Sequence, residues 1–80
     1  MDEQLKNKIA EIVNSVMDLD ILSLDQDAKF SEITEWDSFN NLMLISKFQD
    51  EFTIEFTAVE IENTQKVKDL FDLLEKKTSK

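Results

Sequence analysis

The sequence predicts an all-α domain: three main helices, one short extra helix, and a long loop after the first helix. Three observations carry this. Apolar residues recur at steps of three and four in three separate segments, the spacing of one helix face. The stretch between Asp18 and Asp37 is punctuated by Asp, Ser and Thr and holds no helical period. Phe52, Ile54 and Phe56 alternate with Thr53 and Glu55 as a strand would, but a lone strand has nothing to pair with, so an extended connector is expected there.

The first helix is expected from about Glu3 to Met17. Leu5, Ile9, Ile12, Val13, Val16 and Met17 form its apolar stripe, with Lys6, Lys8, Glu11 and Asn14 opposite. The following loop still contains Leu19, Ile21, Leu22, Leu24, Phe30, Ile33 and Trp36. So long a loop must be pinned across the core, with a short helical turn within it. Trp36 is expected to anchor it there.

Ser38 opens a second helix, to about Glu51, with Asp37 or Ser38 as its N-cap. Phe39, Leu42, Ile45, Phe48 and Phe52 are read as its buried stripe, some of them able to line a cavity. Thr57 is expected to cap a short helix over residues 58–62. The last helix is expected from near Gln65 to near Lys77, burying Val67, Leu70, Phe71 and Leu74, with Lys76 and Lys77 at its cation-favouring end. Thr78, Ser79 and Lys80 are expected to fray.

Eighty residues is one domain, 1–80, with a small core. Gly, Pro, Cys and His are absent and all nine basic residues are Lys. No thiol nucleophile, imidazole base or zinc finger can be built. The reading is therefore a non-enzyme. Met1 is followed by polar Asp2, Glu3 and Gln4, and no apolar run is long enough to span a bilayer, so a cytoplasmic monomer is expected. The net charge is −9, and between Asp18 and Glu62 twelve acids face only Lys29 and Lys47. Such a segment repels nucleic acid and anionic membranes and favours basic protein partners. Asp18, Asp20, Asp25 and Asp27 invite a calcium loop, but the spacing fails the EF-hand pattern and the Gly of its sharp turn is missing. No metal site is expected.

The run Glu35-Trp36-Asp37-Ser38-Phe39-Asn40-Asn41-Leu42 resembles the phosphopantetheine attachment site of acyl and peptidyl carrier proteins. Phe48-Gln49-Asp50-Glu51-Phe52-Thr53-Ile54 is similar to that family's exit from its second helix, and Val67-Lys68-Asp69-Leu70 to the opening of its last. The likeness spans essentially the whole chain. It departs in two places: Glu35 and Trp36 stand where the family commonly has Gly or another small residue, and Phe39 stands where Leu is usual.

The resemblance implies an acyl-carrier-like bundle with phosphopantetheine attached covalently to Ser38, making it a phosphoprotein, and with Asp37 in support. Its partners would be a phosphopantetheinyl transferase and the enzymes that load and process acyl groups in fatty acid or polyketide biosynthesis. An aminoacyl or peptidyl cargo stays open, as does a helical adaptor without a prosthetic group. By itself the Asp-Ser pair reads as an ordinary cap; the helix start, the long loop and the acidic chain around it point to attachment. The general fatty-acid type shows acidic residues on the exposed face of its second helix. Here Asn40 and Met43 stand early on that face, with Lys47, Gln49 and Asp50 later, so a specialised carrier with a partner surface at Asn40, Met43, Lys47 and Asp50 is expected.

Overall fold

In the computed structural model, which describes residues 2–78, the chain forms four helices. These are α1 (Glu3–Met17), α2 (Ser38–Phe52), α3 (Ala58–Asn63) and α4 (Val67–Thr78). Two 3-10 turns, Ile21–Ser23 and Phe30–Glu32, interrupt the loop between α1 and α2. The described residues contain no strand, only an isolated antiparallel bridge between Lys29 and Lys66.

α1 starts where the Asp2 carboxylate accepts the amide of Gln4, and ends where Asp18 turns left-handed at φ 52° and returns its N–H to Asn14. Ile9, Ile12, Val13 and Met17 are buried, and α1 packs against α2 and α4. α4 buries Val67, Leu70, Phe71 and Leu74, the four residues expected from its spacing. It runs through Thr78, whose hydroxyl donates to the Leu74 carbonyl, so Thr78 is helical where fraying was expected. Ser79 and Lys80 lie outside the described residues.

The long loop is pinned, as its apolar residues require. Ile21 and Phe30 are buried at the two turns. Phe30 donates its N–H to the Gln65 carbonyl, while the amides of Val67 and Lys68 go to the carbonyls of Ala28 and Gln26. The loop thus satisfies donors that the start of α4 leaves unpaired. α3 is held from outside. Thr57 and Glu60 form a reciprocal capping box, and the Lys77 ammonium reaches Glu60 at 2.9 Å and lies over the Phe56 ring.

The face of α2 departs from the expected one. Phe48 is fully buried and Leu44 is 1% exposed, with Ile45 and Phe52 partly buried beside them. Phe39 and Leu42 are 69% and 65% exposed. They do not belong to the core. Nine residues separate Phe39 from Phe48, about two and a half turns, which sets them on opposite sides of the helix. Repeated steps of three precess around a helix, whereas Leu44, Phe48 and Phe52, at steps of four, stay on one side.

Candidate functional site

Asp37, not Ser38, is the N-cap of α2. It is extended (φ −90°, ψ 176°), and its Oδ1 accepts the amide of Asn40 at 2.8 Å. Ser38 is therefore the first helical residue and is exposed, its hydroxyl free of the capping task. The free amides and positive end of the helix dipole face the space around it.

Two side chains of α2 fix the loop leading in. Asn40 Nδ2 donates to the Glu35 carbonyl at 2.9 Å, and Asn41 Oδ1 accepts the Trp36 indole N–H at 3.0 Å. Trp36 is buried and stacks on Phe30, the ring centroids 3.9 Å apart and the planes 10° from parallel. The segment just before Ser38 is thus tied to α2 at two successive residues, Glu35 and Trp36.

Ser38 sits in an open groove of about 180 Å³ with Phe30, Ser31, Trp36, Asp37, Asn41 and Thr64. A second, narrow cavity of about 20 Å³ in the core shares Phe30, Trp36, Asn41 and Thr64 with it. A separate depression of about 550 Å³, between α1, the end of α2 and α4, shares no residue with the Ser38 groove.

The expected partner surface is divided. Met43 is 39% exposed, and Lys47 and Asp50 are exposed beside a shallow groove against Ile12 and Ser15 of α1. Asn40 is only partly exposed and is committed to Glu35. Gln49 is likewise partly buried, accepting the Phe56 amide. Neither is a free surface group, because both side chains hold neighbouring backbone. The sequence reading missed Phe39 and Leu42, whose exposed side chains flank Met43 on the outer face of α2. No signal in the spacing marks them, because apolar residues stand on both faces of α2.

Lys77 and the Thr57 amide hold Glu60 below its ordinary value, and the Glu51 carboxylate raises Lys8. Among the described residues no group of three or more acids is placed to hold a metal. Asp20 and Asp25 instead accept the amides of Leu22 and Asp27 in local turns. No described helix is long and apolar enough to cross a membrane.

Ser38 is thus exposed at a helix start, after a pinned loop, in a four-helix acidic domain. Comparison with known proteins gives it a family. The chain is 31% identical over 70 residues to an acyl carrier protein of Solidesulfovibrio magneticus, covering 88% of this chain and 90% of the relative. It is 30% identical over 74 residues to an acyl carrier protein of Buchnera aphidicola, covering 92% and 95%. The crystal structure of an acyl carrier protein from Thermotoga maritima superposes with a TM-score of 0.71 at 34% identity, over 94% of this chain and 87% of that one. No protein-family model matches the chain. The chain belongs to the acyl carrier protein family.

Proposed function

We propose that this chain carries thioester-bound acyl groups on a phosphopantetheine arm attached through Ser38, and passes them between the enzymes of a biosynthetic pathway. The observation that carries this reading is the exposed Ser38 at the first position of α2, with the cap supplied by Asp37. In attachment, the Ser38 oxygen forms the bond to phosphorus, its proton is lost, and the nucleotide bisphosphate part of coenzyme A leaves. The helix start suits the phosphodiester that results, because its amides and dipole favour negative charge. The arm, when bound, supplies the thiol that holds the acyl group. The chain supplies placement and a docking surface; a transferase and acyl-processing enzymes do the chemistry.

The outer face of α2 favours a dedicated set of partners. Met43, 39% exposed, stands early on that face where an acidic side chain would steer basic partners, beside exposed Phe39 and Leu42. The test is an intact mass after incubation with coenzyme A and a promiscuous phosphopantetheinyl transferase. Wild type should gain one arm and Ser38→Ala none, with unchanged helical circular dichroism. A wild type that gains no mass, or a Ser38→Ala variant that still does, would refute the assignment.

A further inference from the structure

We propose that Asn40 is a positioning residue for attachment at Ser38: its side-chain amide holds the loop leading into the serine in the shape against which a transferase docks. This rests on the carrier reading above. Asn40 is the third residue of α2, two after Ser38, and it makes two bonds of different kinds. Its backbone N–H donates to the Asp37 carboxylate at 2.8 Å, a bond that other residues at this place would keep. Its side chain turns back instead, and Nδ2 donates to the Glu35 carbonyl at 2.9 Å. Glu35 belongs to the turn that the Trp36 amide closes by donating to the Ile33 carbonyl at 3.0 Å. Trp36 is fixed in that turn by burial. Glu35 is exposed, and the amide of Asn40 is what ties it to the helix.

The Glu35 carbonyl can only accept, so position 40 must donate. A carboxylate of the same shape has no proton to give and would set its oxygen against that carbonyl. Two demands therefore compete at this position. An acid in the first turn of α2 would suit the helix dipole and steer basic partners. An amide ties the loop, and this chain has the amide. The stretch that a transferase meets beside Ser38 is thus ordered before the encounter, and docking does not bear the cost of ordering it. Without the tie, only a fraction of the molecules would present the docking shape, and apparent affinity would fall by that fraction. The complex, once formed, would react as before. The signature of Asn40 is therefore in KM and not in kcat.

The experiment compares wild type with Asn40→Asp and Asn40→Ala, as full chains, in loading from coenzyme A by the promiscuous phosphopantetheinyl transferase. Both variants should raise KM for the chain about two- to tenfold, the range set by one hydrogen bond, with kcat close to that of wild type. Asn40→Asp separates positioning from stability and from recognition. Its charge suits the start of α2, so its Tm should stay within about three degrees of wild type while its KM rises. An unchanged KM in Asn40→Asp would overturn the proposal, and so would a lowered one, the result expected of a simple recognition acid. Asn40→Ala removes the donor without adding charge; a KM rise confined to Asn40→Asp would mean repulsion alone and would also overturn it. Hydrogen exchange reads the loop directly. The Trp36 amide should exchange several-fold faster in both variants, with the Leu44 amide inside α2 unchanged. Equal Trp36 exchange in all three proteins would show that Asn40 does not hold the loop. A wild type that gains no mass removes the carrier reading itself, whereas normal wild-type loading with unaltered variants removes this proposal alone.

Discussion

Truncating Phe48 to alanine is the perturbation that most directly tests the packing of α2. The side chain is fully buried, lies 6.1 Å ring to ring from Phe52, and lines the small core cavity. Its transfer from water contributes about 1.5–3 kcal/mol. The void left behind adds to this, since it merges with the existing 20 Å³ and sits between helices that cannot close on it freely. A loss of about 3–5 kcal/mol is expected. A domain of 80 residues holds roughly 4–12 kcal/mol in total, so the variant should lose much of its stability. Phe39→Ala and Leu42→Ala are the controls. Both side chains stand mainly in water, so each should cost no more than about 0.5 kcal/mol. Urea denaturation followed by helical circular dichroism measures all three. Equal midpoints for Phe48→Ala and wild type would refute the packing described here. A Phe39→Ala loss as large as that of Phe48→Ala would restore the single aromatic stripe that the sequence suggested.

Two further outcomes follow from individual contacts. Asp37→Ala removes the carboxylate that holds the Asn40 amide, and should cost about 1 kcal/mol, or roughly 4–8 °C in Tm, while Asp37→Asn retains most of it; equal melting of all three proteins would show that the cap contributes nothing. Glu60 is held below its ordinary value of 4.5, first by the Lys77 ammonium and then by the Thr57 amide, so folding favours its charged form. That contribution is complete above about pH 4.5 and is lost as pH falls through the lowered folded value. The stability difference between wild type and Glu60→Gln should therefore stay level from pH 7 to 5 and shrink below that. A difference that grows on acidification would contradict this sign.

Much of this fold could be read from local spacing. α1, α4 and the short α3 with its Thr57 cap form where their periodicity and capping residues place them, because local hydrogen bonding and one amphipathic face decide each. The burial of Trp36 was legible for the same reason: a large apolar ring in a loop must find the core. The phase of α2 was not legible. Its outer face carries Phe39, Leu42 and Met43, so apolar character does not mark the buried side, and only tertiary packing selects Leu44 and Phe48. Nor did the sequence tell which of Asp37 and Ser38 would cap the helix, since both residue types serve. Asn41 as the partner of the Trp36 indole depends on a loop path fixed by contacts with α4, some 25 residues further on.

The division of tasks between Asp37 and Ser38 has a thermodynamic consequence. Because the carboxylate of one residue holds the helix start, a covalent change at the oxygen of the next removes no bond on which the helix depends. Modification and folding do not compete. They are coupled with a favourable sign, since whatever the helix dipole contributes to binding a new negative charge, about 0.3–1 kcal/mol for an exposed group, must by linkage return as stability of the folded modified chain. Under the proposed attachment, the unmodified protein would present itself to a transferase already folded, and the modified chain would be slightly harder to unfold than before.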